Sequence, residues 1–226
     1  MTSPSTDKRG RESLRERFPI HFIPIVGIVV ILAVVAFVLA NRGGLQLPGG
    51  AKSSKSARYG GLILRPVRQA PPISLRNYLG EPVTLSQYRG KAVLVTFLYA
   101  HCPNVCPLIA SHLHVVQQEL GREARRVQII AVSVDPRGDT PSSVATFLRE
   151  HLMAGRMQYL IGSLDQLAAT WKAWNVGSKA DAASPEFVAH SALVYGVTAS
   201  GKVKTIYSAN FQPSQIVHDV PLLAAS

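Results

Sequence analysis

The sequence predicts an α/β domain with a central mixed sheet flanked by helices, preceded by one N-terminal transmembrane helix. Three observations carry this. Residues 91–100 (KAVLVTFLYA) and 127–134 (VQIIAVSV) are near-continuous apolar runs rich in β-branched side chains, the pattern of strands buried on both faces. These runs alternate with segments of helical apolar periodicity, the arrangement that builds a sheet covered by helices. Residues 22–40 contain no charged residue over nineteen positions, and at about 1.5 Å per residue such a helix spans the hydrocarbon thickness of a bilayer.

Taken in order, residues 1–21 are polar and charged and read as a cytoplasmic head, with Lys8, Arg9, Arg11, Arg15 and Arg17 set against Asp7, Glu12 and Glu16. Residues 22–40 form the anchor; a cleaved signal peptide ending at Val38-Leu39-Ala40 is the competing reading, but the apolar stretch is longer than such peptides use. Residues 41–58 (NRGGLQLPGGAKSSKSAR) have the Gly/Ser/Lys composition of a flexible tether. Residues 59–226 form the folded domain. Within it, Ile73–Leu75 and Pro82–Leu85 predict a small hairpin around Gly80, and a helix runs from Pro107 to Leu120, stopped by Gly121. Thr140 and Pro141 open a second helix reaching about Leu152, with the hydroxyl as cap and proline at the first helical position. Met157–Ile161 is a short strand, Ser163 caps a helix to Trp174, Ser191–Thr198 and Lys202–Ser208 are strands joined at Ser200-Gly201, and Pro213 opens the last helix.

The net charge of +11 invites a nucleic-acid reading, but its distribution argues against one. Residues 1–58 hold nine Lys/Arg against three Asp/Glu, so more than half of the excess flanks the apolar segment, where basic residues serve orientation and lipid headgroups. No basic helix or interleaved aromatic platform follows, and no nucleic-acid partner is expected. The charges flanking 22–40 barely choose an orientation; the cysteine chemistry below favours a single-pass cell or inner membrane protein with its C-terminal domain on the extracytoplasmic side.

Cys102 and Cys106 are the whole thiol inventory, and a bridge between them would close almost no loop. Structural stapling is therefore a poor explanation, and redox or metal chemistry a better one. The segment His101-Cys102-Pro103-Asn104-Val105-Cys106-Pro107 lies where a buried strand gives way to a helix, and a helix start offers unpaired N–H groups that favour thiolate over thiol. Spacing of i, i+4 brings two sulfurs within reach of one ion or of each other. Two thiolates suit soft or borderline ions such as copper(I) or zinc; an iron–sulfur cluster wants four cysteines. Seven histidines could supply a third ligand. His21 sits at the membrane edge, His112 and His114 on the helix after the cysteines, His151 at a helix end and His218 on the last helix. His101 adjoins Cys102 in an extended segment. His190 immediately precedes a predicted strand, and its position alone leaves a ligand and an ordinary polar histidine equally open.

Three blocks together are similar to the Sco/SenC family: Cys102-Pro103-Asn104-Val105-Cys106-Pro107, then Val132-Ser133-Val134-Asp135-Pro136-Arg137-Gly138-Asp139-Thr140-Pro141, then His190-Ser191 leading a strand with Tyr195. Order and spacing agree over about residues 70–210. The resemblance implies a thioredoxin-like fold, a copper site of Cys102, Cys106 and His190, and a role in assembling the binuclear copper centre of cytochrome c oxidase. It gives Asp135 a place beside the site, either supporting a ligand or simply capping a turn. Asn104 departs from the Asp that many relatives carry, as does the non-acidic turn at 196–201. Two functions compete. In one, the chain carries copper to the copper-bearing oxidase subunit, with other copper carriers as further partners. In the other it is a membrane-anchored thiol–disulfide oxidoreductase, served by thioredoxin-like reductants, in which Cys102 attacks, Cys106 resolves, and the cysteines of an oxidase copper site are reduced. A peroxidase is less favoured, because no arginine adjoins the cysteine motif.

Overall fold

A computed structural model of the chain describes residues 31, 32, 34, 59–176, 179–181, 184–189 and 192–226, with side chains described outside 177–191. Of the expected anchor, only Ile31, Leu32 and Val34 fall in this set; they are helical and exposed. Among the described residues no helix is long and apolar enough to cross a membrane. The head, tether and most of the anchor predicted from the sequence lie outside the described residues.

The C-terminal unit is built on an eight-stranded sheet. Its strands in chain order are β1 (Leu62–Gln69), β2 (Ser74–Asn77), β3 (Pro82–Thr84), β4 (Ala92–Leu98), β5 (Val127–Ser133), β6 (Met157–Ile161), β9 (Leu193–Val197) and β10 (Lys202–Ser208). The spatial order is β1-β10-β9-β4-β5-β6-β2-β3. β7 (Lys179–Asp181) and β8 (Ser184–Ala189) pair separately as a two-stranded hairpin. β4, β5 and β6 run parallel, and all other pairs are antiparallel, so the sheet is mixed as expected.

Every residue of β4 is buried, and all but one of β5. That explains why both read as unbroken apolar runs rather than alternating ones. β10 lies nearer the margin and alternates buried and half-exposed positions. Four helices cover the sheet: α1 (Val105–Leu120), α2 (Pro141–Glu150), α3 (Leu164–Trp174) and α4 (Pro213–Ala224). α1 buries Cys106, Ile109, Ala110, Leu113, Val116 and Leu120, a single stripe at helical spacing. α2 and α3 each begin in a reciprocal box, Thr140 with Ser143 and Ser163 with Gln166.

Within the C-terminal unit the predicted elements are present, with four corrections. β1 was not anticipated: its LILRPVRQ sequence carries a proline and two arginines, and it is mostly exposed because it is an edge strand held only by β10. The β7–β8 hairpin was not anticipated either. α1 starts at Val105, two residues before the expected Pro107, which puts Cys106 inside the first turn. α2 ends at Glu150 rather than near Leu152, since Leu152 adopts a left-handed conformation that no helix continues through.

Candidate metal centre

The cysteine segment follows directly from the end of β4. Tyr99 is buried, and its carbonyl accepts the Cys102 N–H at 3.2 Å, which turns the chain out of the sheet. Cys102 stands before α1 and Cys106 within its first turn; both are buried, at 7% and 0% exposure. The two cysteines therefore do not share one helix, and the sulfurs meet across its first turn. Asn104, at the cap position, makes no side-chain capping bond. Instead the Cys106 N–H donates to Cys102 Sγ at 3.3 Å. The sulfur takes the part of a capping oxygen, satisfying one of the N–H groups that a helix start leaves over.

The two cysteines also share a side-chain hydrogen bond, and this, ahead of burial, pushes the Cys106 thiol well above its usual range. A backbone hydrogen bond from Tyr99 pulls the other way. The Tyr99 hydroxyl is bonded to the Cys102 side chain; burial first, then the neighbouring sulfurs, raises its pKa. Sequence reading passed over Tyr99. Its only signal was its place at the end of a strand that feeds the cysteine loop.

Of the two roles open to Asp135, the structure shows the capping of a turn, and Asp139 is placed differently from it. The Asp135 carboxylate accepts from the Arg137 and Gly138 N–H groups at 3.2 and 2.9 Å, the bonds of a loop folded on itself. Gly138 has to lack a side chain: a Cβ there would collide with the Asp135 carboxylate and meet His101 Nδ1 at 3.3 Å. Asp139, read from sequence only as part of a helix start, is the buried one. Its Oδ1 accepts the Ala100 N–H at 2.7 Å and its Oδ2 the Tyr159 hydroxyl at 2.9 Å. Burial raises its pKa to about 6 despite these donors and a further hydrogen bond with Ser133.

His190 lies outside the described residues. The sheet nevertheless fixes its sequence neighbourhood, because Leu193 opens β9 and its carbonyl accepts the Thr96 hydroxyl at 2.9 Å, near the end of β4 from which the cysteine loop leaves. β9 pairs antiparallel with β4. Tyr195 packs edge to face against Phe97 and Trp174, which are tilted against each other. Of the other histidines, His218 bonds Asp219 and His112 packs on Phe211. His101 is exposed. Among the described residues no group of three or more His, Cys, Asp or Glu is placed to hold a metal. Two adjacent sulfurs beside a helix start do fit a soft cation, and they equally fit a reversible disulfide.

A mixed sheet, a strand-to-helix dithiol and flanking helices define a thioredoxin-like protein with a two-cysteine centre. The SCO1/SenC family model matches residues 66–225. The chain belongs to the SCO1/SenC family. It is 29% identical over 152 residues to the mitochondrial SCO2 homolog of Mus musculus, a match covering 65% of this chain and 59% of that protein. The copper-bound structure of ScoI from Bradyrhizobium japonicum is 26% identical with a TM-score of 0.60, covering 69% of this chain and 99% of that one. BsSco, described as a member of the Sco family of cytochrome c oxidase assembly proteins with a disulfide switch, is 26% identical with a TM-score of 0.60, over 70% of this chain and 95% of that one.

Proposed function

We propose that this chain binds copper through Cys102, Cys106 and His190 and passes it to the copper-bearing subunit of cytochrome c oxidase. The observation that carries the reading is the meeting of two buried sulfurs at the first turn of α1, with the Cys106 N–H aimed at Cys102 Sγ. Two soft donors on a preformed turn suit copper(I), and an imidazole from the segment ahead of β9 completes a three-ligand set. The copper-bound Bradyrhizobium relative supports the cargo, and the description of BsSco supports the oxidase as recipient. A site with three protein ligands leaves the ion open to attack by a recipient's ligands, as delivery requires. In this reading residues 22–40 anchor the chain in the cell or inner membrane and hold the domain on the extracytoplasmic side.

The test is copper loading of the reduced full-length chain in detergent. One copper per chain is expected, and copper(II) should give a thiolate charge-transfer band that Cys102→Ser and Cys106→Ser each abolish. His190→Ala should weaken copper retention by about tenfold or more, in line with loss of a ligand or its orienting partner. Full retention by His190→Ala removes that residue from the ligand set, and a wild-type chain that takes no copper removes the carrier reading.

The hydrogen bond shared by the two sulfurs favours a second reading, in which the pair exchanges with a target disulfide. The Cys102 thiolate attacks the target, forming a mixed disulfide and releasing one target thiol. Cys106 then displaces the second, leaving a Cys102–Cys106 disulfide after two electrons have passed to the target. Stoichiometric reduction of a disulfide peptide by the metal-free chain, undiminished in His190→Ala, distinguishes this activity from copper carriage.

A further inference from the structure

Asp139 binds four pieces of the molecule to one another. Its carboxylate takes the Ala100 N–H, at the exit from β4, and the Tyr159 hydroxyl, from β6. It also shares a hydrogen bond with the side chain of Ser133, at the end of β5. Its own N–H donates to the Asp135 carbonyl at 2.9 Å, closing the loop that enters α2. The residue is 5% exposed. Ala100 stands two positions ahead of Cys102, inside the turn closed by the Cys102 N–H on the Tyr99 carbonyl. Where Ala100 is held therefore decides where Cys102 Sγ stands relative to the Tyr99 hydroxyl and the Cys106 N–H, both of which reach it.

We propose that Asp139 is the positioning residue of the thiol pair, fixing the Cys102 loop by the length and direction of its carboxylate through the Ala100 N–H. The inference rests on the reading of Cys102 and Cys106 as the working sulfurs. Aspartate offers two acceptor oxygens aimed in different directions from a short stem, so one side chain serves the Ala100 N–H and the Tyr159 hydroxyl together. Its role is to hold Ala100; it touches neither ion nor target.

Two substitutions separate position from charge. Asp139→Asn keeps an acceptor for Ala100 at the same reach, and the Tyr159 hydroxyl can turn to accept from the new amide. Asp139→Glu keeps the charge but displaces the carboxylate by one methylene. In the full-length chain, with folding verified by circular dichroism, two quantities are read. One is the alkylation rate of Cys102 in the metal-free, reduced protein; the other is the position and intensity of the thiolate–copper(II) band. Asp139→Glu is expected to change the Cys102 rate by about tenfold and to move the band, as disturbing an outer support does. Asp139→Asn is expected to stay within about twofold of wild type on both. Should the longer side chain prevent folding, Asp139→Ala takes its place with the same expectation. The inference is overturned if the Glu or Ala variant leaves both quantities unchanged, or if Asn disturbs them as much. A residue needed for stability alone would lower the melting temperature and move neither. If wild type takes up no copper, the carrier reading fails, while the alkylation comparison still decides the part played by Asp139.

Discussion

The two sulfurs are chemically unequal although they touch. Cys106 is sealed off, and its thiol is held protonated first by its bond with Cys102 and then by burial, whereas Cys102 retains slight exposure. The thiolate is the nucleophile, so limited iodoacetamide should label Cys102 well before Cys106 in the reduced, metal-free chain, as mass spectrometry of early time points would show. Equal labelling would remove the asymmetry. Asp139 makes a second prediction at this scale. Its ordinary pKa of 3.8 rises to about 6 in the fold, chiefly by burial, with Asp135 adding to the rise. Ser133, Tyr159 and the Ala100 N–H face it as opposing donors, and Cys106 lies within its electrostatic reach. Between those two pH values the native state keeps a proton that the unfolded chain has already released. Stability contributed by this group therefore falls as pH rises from about 4 to about 6 and stays lower above that, by up to roughly 3 kcal/mol. Asp139→Asn should flatten that part of the curve of melting temperature against pH for the metal-free protein; an unchanged slope would assign it to other groups.

At the scale of elements, the edge strand β1 shows how this sheet is finished. Gly60 and Gly61 donate their N–H groups to Asp219 of α4 at 2.8 and 2.9 Å, and the Tyr207 hydroxyl of β10 donates to the same carboxylate at 2.7 Å. A Cβ on Gly61 would lie 2.5 Å from the Tyr207 ring, so only glycine passes between strand and helix. Asp219→Ala would leave the buried Tyr207 hydroxyl without its acceptor and free the Gly60 and Gly61 N–H groups at the surface, at a cost of about 1–3 kcal/mol, measurable by urea unfolding. A loss under about 1 kcal/mol would mean the clasp is dispensable. This clasp also marks the boundary of what could be read in advance. β4, β5 and the capped helices α2 and α3 were legible because their signals are local: apolar runs, Thr140-Pro141, Ser163. β1 was not, since its partner lies well over a hundred residues away and its own composition argues for a loop. The same division holds at the centre. The Cys102–Cys106 pair announced itself by spacing, but Asp139 looked like part of a helix cap because its bond to Ala100 crosses between elements that sequence reading treated separately.

On the scale of the whole molecule, the sheet order does the work that spacing cannot. β9 returns from the far end of the chain to lie beside β4, so Leu193, three positions after His190 in the sequence, opens a strand that neighbours the one leading to Cys102. Residues 1–58, for their part, hold a net charge of +6 out of the chain's +11. Charge on that scale next to nineteen uncharged residues suits the proposed anchoring at a lipid surface, and the proposed copper site makes no use of it. If both proposals hold, attachment and copper binding separate cleanly. Full-length chain reconstituted with vesicles containing anionic lipid should float with them through a density gradient at high salt, because burial of residues 22–40 in hydrocarbon is not screened as surface charge is. A chain of residues 59–226 should remain at the bottom, while binding copper with the same stoichiometry and the same charge-transfer band. Flotation lost at high salt would make the attachment electrostatic rather than spanning, and loss of copper from the shorter chain would show that the N-terminal region supplies part of the site.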